Sequence, residues 1–327
     1  MNYEIHPLHF GNLTIWPPFL AAPMAGYTDP LYREILREFG CPYCYTEMIS
    51  SKGLIQKGPN TLRLLDHSEA DRPLAVQIFG EDPEEMFRAV RIVCDSGASF
   101  ESVDINMGCP ARKITSQGAG GALLKDVSRA CEIVEAVKSA SVVPVSVKMR
   151  TGWDKHEDAV DIAERLSSSG ADMLVVHGRT VTQGYGGTAD WSVISEIASS
   201  LDVPVVGNGD IQSPEEGLAR LVGSGCSAVM VGRGTLGNPF FWRQLHLIVE
   251  AKTAYRPTNV ERIEAAQDHL RRAIAANGEG YALKDLKKHL GFYFKGMRGA
   301  PAARERISRA SSLDEIVTAI EQISSSK

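Results

Sequence analysis

In the heptad Asp104-Ile105-Asn106-Met107-Gly108-Cys109-Pro110 a single thiol sits on a turn bracketed by glycine and proline, directly after the short apolar run 102–105. Glycine admits positive φ and close approach of a ligand, and proline fixes the chain beyond, so Cys109 is held in a set direction at the end of an expected strand. Such a turn suits a reacting group. Free cysteines are more often small buried hydrophobes, and the heptad alone leans slightly to that bland reading. A second chemical candidate is Lys148 in Val145-Ser146-Val147-Lys148-Met149. A lysine inside so apolar a run forms a Schiff base, pairs with a carboxylate or serves a cofactor's developing negative charge; a snorkelling surface lysine fits less well. His177 on its own reads first as a satisfied core histidine.

These residues need elements to position them. From residue 19 to about residue 231, short β-branched runs alternate with amphipathic helical stretches. The runs fall at 19–22, 43–46, 74–79, 102–105, 145–148, 173–176, 205–207 and 228–231, with helical period at 29–39, 83–96, 128–139, 156–168, 191–199 and 214–222. Eight strand-and-helix alternations in this length predict an α/β fold, a (β/α)8 TIM barrel. An open doubly wound sheet competes, because Gly232-Arg233-Gly234-Thr235-Leu236-Gly237 fits G-x-G-x-x-G. That fingerprint belongs in a first βαβ unit with an acidic residue about twenty positions on, ending the next strand. Glu250 lies in a helical stretch and no strand follows, so the glycines read better as the loop after an eighth barrel strand. With Gly207-Asn208-Gly209-Asp210 after strand seven they predict a cradle of N–H groups for one phosphate, with Arg233 as counter-charge.

The strand ends then carry Pro23, Met24 and Ala25, Glu47, Gln77, Asn106 and Cys109, Lys148 and Arg150, His177 and Arg179, and Asn208. Metal binding is not expected: Cys41-Pro42-Tyr43-Cys44 has C-x-x-C spacing but no second pair, and does not open a helix after a strand. Gly118-Ala119-Gly120-Gly121 joins no strand to a helix and reads as a flexible segment beside the mouth of the site.

Composition is that of an ordinary globular protein, 43% hydrophobic and 23% charged over 327 residues. Six scattered cysteines predict reduced thiols and a cytoplasmic setting. Neither a signal peptide nor a membrane span is expected. Charge is uneven: 22 lysines and arginines stand against 31 acidic residues up to position 255, and 13 against 9 beyond it. After a linker at 252–259 the chain reads as helical, with apolar stripes at 260–276, 283–294 and 313–323 and a fraying Ser324-Ser325-Ser326-Lys327. Two domains are therefore expected, a barrel over residues 1–253 and a small C-terminal helical bundle over 254–327. In the second, Lys284, Lys288, Lys295 and Arg298 recur at spacings that put them on one helix face, interleaved with Phe292, Tyr293 and Phe294. A solvated face explains this as well as an elongated polyanion such as RNA does.

The chain resembles the tRNA-dihydrouridine synthases, most closely the B branch found in bacteria. The resemblance rests on Ala21-Ala22-Pro23-Met24-Ala25-Gly26, Thr46-Glu47-Met48, the Cys109 heptad, Lys148-Met149-Arg150-Thr151-Gly152-Trp153, His177-Gly178-Arg179-Thr180, Asn208-Gly209-Asp210-Ile211 and Gly232-Arg233. It implies an FMN enzyme, driven by NADPH or NADH, that reduces the C5–C6 double bond of a uridine in tRNA. FMN would rest on Pro23, Met24 and Ala25, with Gln77, Lys148 and His177 toward the ring. Asn208, Gly209, Asp210, Gly232 and Arg233 would lie near its phosphate. Hydride would pass from flavin N5 to uracil C6, Lys148 would stabilise the reduced flavin's negative charge, and Cys109 would give the proton to C5. Asn106, Arg150 and Arg179 would hold the uracil or nearby phosphates, and Lys288, Lys295 and Arg298 would grip the body of the tRNA. The target uridine would be extruded into the pocket. A monomer without metal is expected. Two other classes stay open: an FMN barrel acting on a free pyrimidine or small enone, which needs no basic tail, and a non-catalytic RNA-binding protein, which needs no strand-end constellation.

Overall fold

Strand β3 (Phe19–Ala21) begins a cylinder of parallel strands in the computed structural model, which describes residues 4–253 and 255–324. A hairpin of β1 (Leu8–Phe10) and β2 (Leu13–Ile15) precedes it. The cylinder continues with β4 (Cys44–Tyr45), β5 (Ile49–Ser50), β6 (Leu74–Phe79), β7 (Ser102–Met107), β8 (Val145–Arg150), β9 (Met173–His177), β10 (Val205–Asn208) and β11 (Ala228–Val231). Its order is β3-β11-β10-β9-β8-β7-β6-β4, with β5 also on β6. The circle closes where the Ala21 N–H donates to the Tyr43 carbonyl at 2.9 Å. Among the described residues this makes eight strand positions, as the sequence predicts. Strands β7 and β8 run two residues further than expected and β9 and β10 one, so Asn106, Arg150, His177 and Asn208 are held in the ladder.

Helices start where cap chemistry dictates. Asp82 accepts from the Glu85 N–H with Pro83 in the first turn, and Ser213 forms a reciprocal capping box with Glu216 ahead of helix Pro214–Ser224. Their apolar faces and the outward strand residues form one large core. The barrel interior is a separate cluster of Leu20, Tyr43, Tyr45, Ala75, Met173, Val175, Val206 and Met230, reached by Leu8, Phe10 and Ile15 of the hairpin. The hairpin, not anticipated from the sequence, therefore plugs the amino-terminal end of the barrel and leaves the carboxyl-terminal end for a ligand.

The C-terminal helices form a third cluster with Leu31 and Ile35 of helix Pro30–Glu38. Helices Asn259–Asn277 and Leu313–Ser324 match two of the expected stripes. The third departs from expectation: a π-helical turn, Ala282–Leu286, leads into a short helix, Lys287–Tyr293, and the chain then turns into Ala300–Arg309. Lys295 and Arg298 lie in that turn, so the four basic residues do not share one helix face. Gly296, at φ +83°, ends the helix there, and Phe294 and Met297 are buried in the cluster beside it. Residues 325–327, expected to fray, lie outside the described residues.

Candidate active site

In a strand, residues two apart share a face. Polar residues occupy inward positions of three strands: Ser102, Asp104 and Asn106 on β7, Ser146 and Lys148 on β8, and Gln77 on β6. Asp104, fully buried, accepts from Gln77 Nε2 at 2.7 Å and from Ser146 Oγ at 2.5 Å. Gln77 Oε1 accepts from Asn106 Nδ2 at 2.8 Å, and Asn106 Oδ1 accepts from the N–H groups of Gly108 and Cys109 at 3.2 and 3.0 Å. The thiol turn is thus tied to the barrel floor through a chain of side-chain amides. Asn106 caps this turn, and both ends of its amide have partners inside the protein.

Cys109 is half-buried, and burial pushes its thiol up, against the smaller opposing pull of Arg150 and Lys148. It stays protonated at neutral pH. The glycine stretch beside it is no free segment. Gly120 and Gly121 are buried, the Gly121 N–H donates to the Cys109 carbonyl at 3.1 Å, and a Cβ on Gly120, where φ is +60°, would stand 3.2 Å from Cys109 Cβ. Glycine is needed there so that the loop can close under the thiol.

Lys148 Nζ donates to Asn208 Oδ1 at 3.2 Å, and Asn208 Nδ2 donates to the Met230 carbonyl at 2.8 Å. Burial and Arg150 lower the lysine, while burial raises Asp104 beneath it. His177 at the end of β9 is kept neutral by burial and by the cations around it, and its buried Nδ1 has no partner among the described residues.

A one-residue bulge shapes the β4 side. Between the pairs Tyr45–Ala75 and Ile49–Ile78, residues 46–48 stand opposite residues 76–77. Thr46 Oγ1 accepts from the Gln77 N–H at 3.0 Å, Met48 Sδ lies 3.7 Å from Asn106 Nδ2, and Glu47 accepts from the Gly26 N–H. Burial raises the Glu47 carboxyl. Pro23, Met24 and Ala25 lead from β3 to this contact.

On the other side, the amides of Gly209, Asp210, Gly232, Arg233 and Gly234 have no acceptor among the described residues. Gly209 has φ +135°, and a Cβ there would stand 2.5 Å from Ala189 Cβ. A cluster of unpaired N–H groups beside Arg233 fits one phosphate. The Asp210 side chain is engaged within the protein: Arg179 Nη1 donates to Oδ1 and the Ala189 N–H to Oδ2, both at 2.8 Å, and Arg233 Nη2 lies 3.6 Å from Oδ1.

Arg179 and Arg150 also have other partners than those expected. Arg179 is buried and donates to the carbonyls of Gly186 and Gly187 at 2.9 and 2.7 Å besides Asp210. Arg150 donates from Nε to the Gly108 carbonyl at 2.9 Å and from Nη1 to those of Thr180 and Gly184, each at 2.7 Å. Both act as ties between loops. Sequence reasoning missed this, together with Asp104, Ser146 and the 184–187 loop; the buried position of each arginine in an apolar run was the available signal.

The basic residues of the tail are dispersed. Lys288 Nζ lies 5.2 Å from the ring centre of Tyr27, next to Gly26, at the lip of the barrel. Lys295, whose carbonyl accepts from Arg262 Nη2 at 2.8 Å, borders a groove with Arg233, Arg256 and Arg304. Arg298 follows in the same turn. The Cys41 and Cys44 sulfurs are 3.6 Å apart and fully buried. Among the described residues no cluster of three or more His, Cys, Asp or Glu could hold a metal, and no helix is long and apolar enough to cross a membrane.

Residues 20–327 match the family model described as dihydrouridine synthase. The probable tRNA-dihydrouridine synthase 1 of Synechocystis is 38% identical over 94% of this chain and 87% of its own length. The tRNA-dihydrouridine synthase B of Xanthomonas campestris is 35% identical, with 93% and 91% covered. Among solved structures, a histamine dehydrogenase from Rhizobium sp. 4-9 superposes with a TM-score of 0.57 at 16% identity. The match covers 80% of this chain and 50% of that larger protein, and shows the barrel fold alone.

Proposed function

Because the chain belongs to the dihydrouridine synthase family, we propose that it is a flavin-dependent oxidoreductase that reduces the C5–C6 double bond of a uridine in tRNA, with FMN as cofactor and NADPH or NADH as reductant. The observation that carries this is the opposition of two arrangements across one barrel mouth. On one side stands a protonated thiol on a fixed turn, and on the other a row of unpaired amides fit for one phosphate.

When bound, FMN would supply a hydride to uracil C6. It would be held by the amides of Gly209, Asp210, Gly232 and Arg233 at its phosphate, with Pro23, Met24 and Ala25 beneath the ring. Lys148 and His177 stand at the ring position, the one offering a cation where negative charge develops, the other a neutral nitrogen with no protein partner. Cys109 gives its proton to C5 of the base; a thiol raised by burial remains an acid at neutral pH yet is far more acidic than a hydroxyl. Asn106 and Arg150 hold the turn that aims it. The barrel, residues 1–253, would carry the chemistry. The helical part, residues 254–327, would hold RNA phosphates through Lys288, Lys295 and Arg298, in the cytoplasm where tRNA is modified.

The test has two parts. Mass spectrometry of the cofactor released on denaturation should show FMN, and FAD or no flavin after reconstitution would sink the cofactor assignment. Incubation with NADPH and unmodified tRNA should then yield dihydrouridine, whereas turnover on free uridine alone would place the enzyme in a different substrate class.

A further inference from the structure

Tyr185 is the most conspicuous side chain that the reaction leaves without a task. The residue is 68% exposed, an unusual cost for an aromatic ring. Yet the backbone around it is held more firmly than that of an ordinary loop. Arg150 binds the carbonyl before it, that of Gly184, and Arg179 binds those after it, of Gly186 and Gly187. Both guanidinium groups are buried. Gln183 adds a local tie, its Oε1 accepting from the Thr180 N–H at 2.7 Å and its carbonyl from the Gly186 N–H at 2.8 Å. The ring lies near two guanidinium groups, with Arg233 Cζ 5.3 Å and Arg150 Cζ 5.9 Å from its centre.

Arg150 also fixes where this ring stands. The same side chain binds the carbonyl of Gly108, one residue before the thiol, and that of Gly184, one residue before the tyrosine. Arg233, on its other side, belongs to the phosphate cradle. Tyr185 is therefore displayed over the mouth between Cys109 and the cradle, on a backbone that buried arginines keep from moving.

We propose that Tyr185 is a stacking platform for a base of the RNA next to the extruded uridine. An exposed aromatic ring flanked by guanidinium planes has the two surfaces on which unpaired bases stack without regard to sequence. When a uridine leaves its helix, a neighbouring base loses a stacking partner. A ring already fixed at the pocket entrance replaces that partner and favours the flipped state. This inference rests on the RNA substrate proposed above.

The experiment uses the flavin-loaded full chain with unmodified tRNA and compares wild type, Tyr185→Ala, Tyr185→Phe and Tyr185→Trp. Base stacking on one aromatic side chain is worth about 5- to 150-fold in affinity. Tyr185→Ala should raise KM or Kd for tRNA within that range, while Phe and Trp stay within about threefold of wild type. Stacking neutralises no phosphate, so the slope of log K against log[salt] should hold. Flavin reduction by NADPH without RNA should also be unchanged. Unaltered tRNA binding by Tyr185→Ala would overturn the proposal. Loss in Tyr185→Phe equal to that in Ala would assign the effect to the hydroxyl, and slowed flavin reduction would assign the ring to the reductant; either also overturns it. A wild-type protein that forms no dihydrouridine would instead overturn the RNA substrate itself.

Discussion

At the scale of single residues, the proton-donor role proposed for Cys109 would separate two half-reactions. Its carbonyl and N–H groups are used by the turn, and its thiol meets only the Ala111 backbone in that turn, so Cys109→Ala should fold and bind flavin normally. Flavin reduction by NADPH should persist, while dihydrouridine formation falls by roughly 10²- to 10⁴-fold, the usual worth of a positioned acid. Stopped-flow absorbance reads the first half-reaction and nucleoside analysis of the tRNA the second; equal loss in both would make the thiol structural. Burial holds this thiol above its ordinary value. The protonated form therefore persists through neutral pH, and the rate should begin to fall only on the alkaline side of the usual thiol range.

At the scale of elements, broken regularity does the positioning. The bulge at residues 46–48 turns Glu47 toward Gly26 and Met48 toward Asn106, and the π-helical turn 282–286 re-aims the short helix that carries Lys288. Because Lys288 stands at the barrel lip and Lys295 beside the arginine-lined groove, they would meet different phosphates. Lys288→Ala and Lys295→Ala should each weaken tRNA binding and flatten the salt slope by somewhat under one unit, and the double variant should show both losses. Flavin content should stay at the wild-type level. A salt series of tRNA affinities checks this; unchanged slopes in folded variants would leave these lysines as solvated surface.

At the scale of the whole molecule, the helical part is fastened to the barrel by a buried ring cluster. His289 lies 5.0 Å from the ring centres of both Tyr27 and Tyr32, His269 stacks 5.8 Å from Tyr32, and its Nδ1 lies 3.2 Å from the Tyr293 hydroxyl. Tyr281 donates to Asp29, and Arg272 reaches Glu34 and Glu38. Burial lowers both histidines to about 3. The unfolded chain therefore binds protons that the folded one refuses. Stability from this source is complete above about pH 6.5 and is lost as pH falls toward 3, at up to about 1.4 kcal/mol per pH unit for each histidine. Melting temperatures between pH 7 and pH 5 should fall less steeply in His289→Leu than in wild type. Equal slopes would mean that the histidines do not sense the docking of the two parts.

What the sequence determined by itself was the periodic and the local. Strand-helix alternation is written in hydrophobic spacing, and a strand end is a fixed place, so the barrel, the thiol turn and the Gly209 and Gly232 loops could be located residue by residue. The uneven charge marked the tail. What only the tertiary structure decided is who meets whom across the barrel. Asp104, Ser146, Gln77 and Asn106 come from three strands, and their hydrogen bonds follow from register, which no single segment encodes. That Arg150 and Arg179 are also bound by the carbonyls of the 184–187 loop follows only from how that loop folds back over them. The supposed basic face of residues 284–298 dissolved for a related reason. Helical spacing predicts a face only while the helix continues, and Gly296 and Gly299, both at positive φ, end it before Lys295 and Arg298 can join that face.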